Sequence, residues 1–362
     1  MRLLVDAGAV VGARAVSGCA LALVSAVLLT TDISTSATRP LAQYSECTRT
    51  ITRPDDVSPA LTAAAPGDML CFVGDNLAQT DIVMTSSGTA EAPIRLVAAG
   101  ATVRQIRIAA NHIVLHGFTV AGGAEVLLQG TRIIARNNTV RDTWRGGIVC
   151  YPCTDSTIES NTVQHATTIG IYLLGQSITA NANTVRGTVP YNNGDADGIR
   201  FFGNGHRITN NTIRDISAEG YVDPSHPDCF QTFDNSRPPT FDIVLSGNNC
   251  HNVDAQCLIA TGDERGNSGA PASSASIIFR GNTCAVNGAQ AVNLRRWARV
   301  EVRDNRFSGP NLLRAILIVN NSTSCSVINN AVAGEVPLVE IDESSRPGFH
   351  QEGNRSTPSS HN

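Results

Sequence analysis

The 362-residue sequence predicts an all-β fold, a right-handed parallel β-helix that a short N-terminal helix closes at one end. Two observations lead to this prediction. An asparagine-containing phrase recurs along the chain, and short apolar runs typical of β-strands lie between its copies. A solenoid explains both, because each coil contributes short strands that stack on the equivalent strands of its neighbours. Parallel connections of this kind are usually right-handed.

The recurring asparagines give the length of one coil. They are Asn138, Asn161, Asn183, Asn211, Asn248, Asn282, Asn305 and Asn330, and successive members are 23, 22, 28, 37, 34, 23 and 25 residues apart. Asparagine tolerates the left-handed backbone conformation and hydrogen-bonds within turns. An asparagine at one corner of every coil therefore predicts a ladder of stacked amides. Some of these positions match the N-x-Ser/Thr sequon, but their periodicity favours a turn role over glycosylation.

Residues 1–37 are predicted to be a signal peptide or an N-terminal anchor. Arg2 and Arg14 precede an apolar run over residues 16–29, which suits a signal sequence and is short for a membrane span. We therefore expect a secreted, extracellular protein, with membrane anchoring through an uncleaved segment as the alternative.

A single solenoid domain is predicted over residues 47–345. It opens with an Ala-rich segment, 58–65, that ends at a Pro-Gly-Asp sequence and predicts a small capping helix. A cap is needed because an open coil end exposes strand edges and core. Residues 346–362 are predicted to form a flexible C-terminal tail.

The charge composition excludes several classes of function. The formal net charge is −4 and only 16% of residues are charged, which argues against a protein that coats nucleic acid or an anionic membrane. All 27 basic residues are arginines, so no mechanism can use a lysine base or Schiff base. Any cationic side chain that acts in a site is then arginine, which prefers planar partners such as carboxylates.

Nine of the ten cysteines lie beyond the signal segment, and in an oxidising compartment most of them should pair. Cys250 and Cys284 occupy the same repeat position in successive coils, as do Cys229 and Cys257. Adjacent strands lie about 4.8 Å apart, within the Cα range of a disulfide. The predicted pairs are Cys229–Cys257, Cys250–Cys284, Cys47–Cys71 and Cys150–Cys153, with Cys325 free. The alternatives are that the stacked cysteines only fill the core and that the Cys-x-x-Cys pair binds zinc.

Three consecutive coils, of 28, 37 and 34 residues, are longer than the 22 or 23 residues that suffice elsewhere. The insertions are 189–196, 217–227 with 236–240, and 262–275, and long loops in a compact repeat are usually functional or disordered. Aligning the strand that follows them stacks polar side chains into columns. These are Asp195, His226 and Asp254; then Asp197, Asp228, Gln256 and Gln290; then Tyr172, Arg200 and Gln231, with Asn293 beyond.

The second column places two carboxylates on neighbouring strands about 4.8 Å apart. Like charges this close raise each other's pKa, share a proton or bind a cation. Because the polar columns coincide with the long coils, we interpret them as a functional site. The alternative is a structural ladder of turn residues and satisfied hydrogen bonds.

The opening coil resembles a known superfamily. Its Ala-Pro-Gly-Asp sequence at 65–68, Ser-Gly-Thr-Ala at 87–90 and Pro-Ile at 93–94 look like the first coil of the pectin-lyase-like β-helix proteins. That group includes pectate, alginate and chondroitin lyases, polygalacturonases and epimerases. The resemblance covers about residues 47–345 and implies the fold, which hosts many chemistries.

Asp197 in an Asp-Gly-Ile sequence and Asp228 in an Asp-Cys sequence resemble part of the polygalacturonase pattern. The resemblance implies that these two carboxylates act as acid and base around a sugar. The sequence departs from the pattern, because Pro227 stands where a second Asp is expected and neither Gly-His-Gly nor Arg-x-Lys follows. A standard polygalacturonase is therefore disfavoured.

A lyase would use the same residues differently. A Ca²⁺ ion would neutralise a uronate carboxylate and acidify its C5 proton, and Arg200 or His226 would abstract that proton. Arginine bases are known in the lyases that this sequence resembles, and a neutral histidine is the more ordinary base by its pKa. The predicted calcium ligands are Asp195, Asp197, Asp223 and Asp228. The predicted substrate-binding residues are Gln231, Gln256, Asp254, Asn293, Arg295 and Tyr172.

The leading hypothesis is a secreted enzyme that cleaves an acidic, uronate-containing polysaccharide, by β-elimination rather than hydrolysis. The alternatives are an epimerase and a non-catalytic exported β-helix protein that holds glycan. We expect a monomer with a polysaccharide substrate, no nucleic acid partner and no membrane contact beyond the N-terminal segment.

Overall fold

The computed structural model describes residues 46–191, 194–220, 226–234, 238–262 and 275–358. These residues form three parallel sheets, of thirteen, eleven and eleven strands, through which the chain passes in the same order in coil after coil. The predicted parallel β-helix is confirmed. The predicted signal segment and most of the residues in the three insertions lie outside the described ranges. Within those ranges, no helix is both long and apolar enough to cross a membrane.

The strands are numbered along the chain and grouped here by sheet. Sheet A contains β1 (Arg49–Ile51), β2 (Met69–Val73), β4 (Ile94–Ala99), β7 (Ile113–His116), β10 (Ile134–Arg136), β13 (Thr157–Glu159), β16 (Thr179–Asn181), β19 (Arg207–Thr209), β22 (Ile243–Ser246), β25 (Ile277–Arg280), β28 (Val300–Arg303), β31 (Ser326–Ile328) and β34 (His350–Glu352). Sheet B contains β3 (Asp81–Met84), β6 (Gln105–Ala109), β9 (Val126–Thr131), β12 (Ile148–Thr154), β15 (Ile169–Gln176), β18 (Asp197–Asn204), β21 (Phe230–Phe233), β24 (Leu258–Thr261), β27 (Gln290–Arg295), β30 (Arg314–Val319) and β33 (Val339–Ile341). Sheet C contains β5 (Thr102–Val103), β8 (Thr119–Ala121), β11 (Thr139–Arg141), β14 (Thr162–Gln164), β17 (Thr184–Arg186), β20 (Thr212–Ile216), β23 (Asn249–Val253), β26 (Thr283–Ala285), β29 (Arg306–Ser308), β32 (Ala331–Ala333) and β35 (Arg355–Thr357).

The core runs along the axis of the solenoid and consists of stacked apolar columns. In sheet B, one inward column contains Val126, Ile148, Ile171, Ile199 and Phe230, which follow each other in register and are at most 1% exposed. Burial of each such side chain contributes about 1.5–3 kcal/mol. Because strand side chains alternate between faces, fixing this column inward fixes the neighbouring positions outward, where a ligand can reach them.

The predicted asparagine ladder is confirmed, and Asn354 extends it by one step. At each step the side-chain oxygen of one asparagine accepts hydrogen bonds from the backbone and side-chain nitrogens of the preceding one, as Asn211 does from Asn183 at 2.9 and 3.0 Å. The left-handed conformation belongs to the residue before each ladder asparagine, such as Asn210 with φ 55°. The expectation that the ladder residue itself takes that conformation is therefore wrong, because its side chain must point inward to stack.

Helix α1 (Pro54–Thr62) begins and ends earlier than the segment 58–65 predicted for the cap. Proline in the first turn supplies a preset φ and needs no hydrogen-bond partner for its nitrogen, so the helix can start there.

The prediction of a flexible C-terminal tail from residue 346 is wrong for residues 346–358. Strands β34 and β35 pair with β31 and β32 and complete a further coil.

Two of the predicted disulfides are confirmed, and two are exchanged. Cys47–Cys71 and Cys150–Cys153 form, and Cys325 is free and buried. The other four cysteines pair as Cys229–Cys250 and Cys257–Cys284, with Cα–Cα distances of 6.2 and 5.9 Å. Cys250 and Cys284 are register neighbours, as predicted. Side chains of register neighbours point the same way, however, so each cysteine of sheet C pairs instead with the cysteine that precedes the sheet B strand of the previous coil, 21 or 27 residues earlier in the chain.

Candidate functional site

The polar columns lie along sheet B and at the start of its strands, where β18, β21 and β24 are neighbours. The register pairs Ile199 with Phe230 and Phe230 with Leu258, which stacks Asp197, Asp228 and Gln256 two residues earlier. One residue after Ile199 and Phe230, the same register stacks the residues of the third column, which are Tyr172, Arg200, Gln231, Ile259 and Asn293. The second and third columns predicted from the sequence are therefore present.

Asp197 and Asp228 form a buried acid pair, neither of them exposed to solvent. The backbone N–H of Asp228 donates to Oδ1 of Asp197 at 3.1 Å, and the backbone N–H of Gln256 donates to Oδ1 of Asp228 at 2.7 Å. Gly198 makes this stacking possible, since a Cβ there would lie 2.8 Å from the carbonyl oxygen of Cys229 on the next coil. The coils can thus approach closely enough for each carboxyl to bind the backbone of the next.

Arg200 supplies the positive charge in this cluster. Its Nε donates to Oδ2 of Asp197 at 2.8 Å, its Nη2 forms an ion pair with the same oxygen, and Nη2 also lies 3.4 Å from Oδ2 of Asp195. The guanidinium lies over the ring of Phe233, with Cζ 5.5 Å from the ring centroid. The Arg200 side chain is 13% exposed, so it lies between the buried acid pair and the solvent.

The two carboxyls of the acid pair hold protons more tightly than ordinary aspartates. Burial raises the pKa of Asp197 to about 6, against the opposing effect of Arg200. Burial and the nearby charge of Asp197 raise the pKa of Asp228 well above its usual range. Arg200 contacts Asp197 directly and favours its ionised form, whereas burial and like charge favour the protonated form of Asp228. A protonated acid beside an ionised one is the arrangement that acid–base catalysis requires.

Two amide oxygens near the acid pair are buried and have no hydrogen-bond partner among the described residues. They are Oε1 of Gln231 and Oδ1 of Asn293. The other amide atom of Gln231, Nε2, donates to Oδ2 of Asp195 at 3.2 Å and lies 3.5 Å from Oδ2 of Asp228. An unpaired buried acceptor is costly unless a ligand or water satisfies it. Both oxygens are therefore suited to accept hydrogen bonds from hydroxyl groups.

The remaining predicted residues differ in how they relate to this cluster. Asp254 is engaged elsewhere, because its carboxylate accepts from Ser217, from the backbone of Ala218 and from Asn287. Burial opposes ionisation of Asp254, but these three donors outweigh it and lower its pKa. His226 is exposed, and its backbone N–H donates to Oδ1 of Asp195 at 3.3 Å.

Arg295 is exposed on the same face of sheet B as Asn293, two residues further along β27. Among the predicted calcium ligands, Asp223 lies outside the described residues. Within the described ranges, no group of three or more histidine, cysteine or acidic side chains has an arrangement that could hold a metal ion. Calcium binding remains a prediction.

A row of four aromatic side chains crosses the outer face of sheet B, and only one of them, Tyr172, was predicted from the sequence. Tyr151, Tyr172, Phe202 and Phe233 follow one another with ring centroids 5.9, 5.6 and 4.9 Å apart. Tyr151, Phe202 and Phe233 each lie two residues beyond the column that contains Tyr172 and Arg200, so the period of two in a strand would have revealed them. Aromatic faces of this kind pack against the apolar faces of ligands.

Comparisons with known proteins agree with this architecture. Residues 79–213 match the family model described as right handed beta helix region. A comparison with curated protein sequences finds no match. Among solved structures, the chain resembles the catalytic unit of a thermostable GH87 α-1,3-glucanase from Streptomyces thermodiastaticus, with a TM-score of 0.54 and 14% identity over 85% of this chain and 67% of that one. It also resembles the tailspike protein of E. coli bacteriophage HK620, crystallised with a pentasaccharide, with a TM-score of 0.52 and 11% identity over 84% of this chain and 61% of that one. These likenesses show a right-handed parallel β-helix.

Proposed function

We propose that this protein is an extracellular enzyme that cleaves a polysaccharide lying across the outer face of sheet B. The observation that carries the proposal is the buried acid pair, in which Arg200 favours the ionised form of Asp197 while burial and like charge favour the protonated form of Asp228. Two further facts support it. The solved structures that resemble this chain include a glucanase and a tailspike crystallised with a pentasaccharide, and four disulfides suit an oxidising compartment.

Hydrolysis is the reaction that this pair favours. Cleavage of a glycosidic bond needs one carboxylic acid to protonate the leaving oxygen and one carboxylate to act as base or nucleophile. In this proposal Asp228 is the acid and Asp197 is the carboxylate. Because both are covered, the substrate has to displace the side chains above them, and the first cation it meets is Arg200. A sugar carboxylate would compete with Asp197 for the guanidinium of Arg200 and thereby release the Asp197 carboxylate for catalysis.

β-Elimination is the second candidate, and His226 favours it, because it is exposed and its backbone N–H lies 3.3 Å from Oδ1 of Asp195. The guanidinium of Arg200 is engaged by ion pairs with Asp195 and Asp197. His226 would then abstract the C5 proton of a uronate, and Ca²⁺, if bound, would stabilise the resulting carbanion through the sugar carboxylate.

One experiment separates these reactions. The oxidised protein is incubated with pectate, alginate and glycosaminoglycans, with and without a chelator, while ultraviolet absorbance of unsaturated products and new reducing ends are both measured. Reducing ends without absorbance indicate hydrolysis, and absorbance indicates elimination, which is metal-dependent if the chelator abolishes it. Asp228→Asn should abolish turnover while the fold persists, and Asp254→Asn, outside the acid pair, is the matched control. Absence of both signals for every polymer would favour the non-catalytic, glycan-holding alternative.

A further inference from the structure

A cavity of about 510 Å³ opens on the outer face of sheet B, on the N-terminal side of the acid pair. Its apolar lining consists of Leu127, Val149, Ile169, Tyr151 and Tyr172. The cavity continues directly into the acid-pair region, because Tyr172 lines it and is the register neighbour of Arg200. A chain that runs along the solenoid axis across Arg200 therefore passes through this cavity.

The polar lining of the cavity contains two arginines, Arg107 and Arg145, and one buried acid, Glu125, together with Gln129 and Thr168. Nη2 of Arg107 donates to the amide oxygen of Gln129 at 3.2 Å, and Nη1 of Arg145 lies 3.7 Å from Oε1 of Glu125, beyond hydrogen-bond distance. In the part of the chain that the structure describes, neither guanidinium makes a hydrogen bond to a carboxylate. Each arginine presents five donors in a planar fork, so both have donors free to face the cavity.

Glu125 lies in the cavity wall and takes no part in the proposed catalysis. It is 7% exposed, and burial raises its pKa although the charge of Arg145 opposes the rise. Gly146 leaves the space beside it open, since a Cβ there would lie 3.4 Å from Oε2 of Glu125 and 3.0 Å from Cγ2 of Val149. An ionised Glu125 partly cancels the positive potential of the two arginines, whereas a protonated Glu125 can donate a hydrogen bond.

We propose that this cavity binds one carboxylate-bearing sugar of the substrate, so that Arg107 and Arg145 hold the carboxylate while the ring lies against Tyr151 and Tyr172. This inference rests on the proposed function, because it names the class of polysaccharide that the proposed enzyme binds. Planar bidentate pairing with arginine selects a carboxylate over a neutral hydroxymethyl group. The enzyme thereby recognises an acidic polysaccharide several coils away from the bond that it cleaves.

Binding is measured in the oxidised, full-length Asp228→Asn variant, so that turnover does not consume the probe. The chain has two tryptophans: Trp144, 62% exposed and adjacent to Arg145, and Trp297, which is fully buried. Trp144 fluorescence therefore reports on the cavity. The probes are the tetramers of galacturonate, mannuronate and guluronate, each compared with its neutral methyl ester. At least one acid tetramer should change the emission saturably, and its ester should bind at least tenfold more weakly.

Three variants test the assignment of the residues. Arg145→Gln and Arg107→Gln should each weaken binding of the acid tetramer about tenfold, the size of one lost charge-assisted hydrogen bond. Glu125→Gln should tighten it on the order of fivefold, because it removes a charge in the cavity wall that repels the bound carboxylate. A purely structural Glu125 would give weaker binding instead. Arg95→Gln, an exposed arginine on sheet A, is the matched control and should change nothing.

Several results would overturn this inference: no binding of any acid tetramer, equal binding of acid and ester, or unchanged binding after both arginine substitutions. None of these depends on catalysis. If acid tetramers bind as expected but the unmodified enzyme cleaves no polymer, the cavity assignment stands and the proposed enzymatic function fails. If the unmodified enzyme cleaves a polymer but the arginine variants bind the acid tetramers normally, the proposed enzymatic function stands and the cavity assignment fails.

Discussion

Asp228→Asn should make the protein more stable at neutral and alkaline pH while it abolishes turnover. In the folded protein the pKa of Asp197 lies at about 6, against 3.8 for the ordinary group, and that of Asp228 is raised further by burial and by Asp197. A raised carboxyl pKa means that the folded state binds the proton more tightly than the unfolded state does. The stability that each carboxyl contributes is therefore complete below about pH 4 and declines as the pH rises through its folded pKa.

The size of this effect follows from the pKa difference. For Asp197 a rise of about two pKa units at 1.36 kcal/mol each corresponds to about 3 kcal/mol, lost between about pH 4 and pH 6. Asp228 adds to this decline, because its pKa is raised in the same direction. An amide at position 228 keeps the acceptor oxygen for the backbone N–H of Gln256 and carries no charge at any pH.

The assay is denaturant unfolding of the oxidised protein at one-unit intervals from pH 4 to pH 8. The Asp228→Asn variant should match the unmodified protein near pH 4 and exceed its free energy of unfolding by a few kcal/mol at pH 8. Asp254→Asn is the control of opposite sign, because the lowered pKa of Asp254 makes its ionised form stabilising above about pH 4. A difference between Asp228→Asn and the unmodified protein that does not change with pH would refute the reasoning.

Three further predictions concern other groups. Arg200→Gln removes the only cation that contacts Asp197 within the described residues, so the acidic limb of the pH–activity profile should move to higher pH; an unmoved limb would contradict the acid pair as the titrating group. Asn211→Ala leaves the backbone N–H of Asn183 and the carbonyl of Ala180 without their partners in the ladder. It should lower the free energy of unfolding by about 3 kcal/mol, whereas the control Thr179→Ala, on the outer face of sheet A, should lower it much less. In a Cys19→Ser chain, Ellman's reagent should detect no thiol in the folded protein and one after unfolding without reductant, because Cys325 is buried and its thiol pKa is raised to about 11. Two or more thiols would contradict the complete set of four disulfides.

The sequence by itself determined the repeat, and through the repeat much of the candidate site. In a parallel solenoid the strand register is set by stacking like positions on like positions, so aligning the coils in one dimension amounts to placing side chains in three. This is why the asparagine ladder and the columns through Asp197 and Arg200 were correctly predicted. It also explains why the capping helix was expected, although its first residue was placed too late in the sequence.

Tertiary structure decided which way each side chain points and which groups it meets. Cys250 and Cys284 were in the predicted register, yet each paired with a cysteine next to sheet B of the previous coil, because register neighbours point in parallel. The cavity around Glu125 depends on glycines and aromatic rings from several strands, and no repeat position marks it. The raised pKa values of Asp197 and Asp228 likewise come from burial, which depends on everything packed around a group. Spacing along the chain fixes which residues become neighbours, but direction and burial arise only when the coils close.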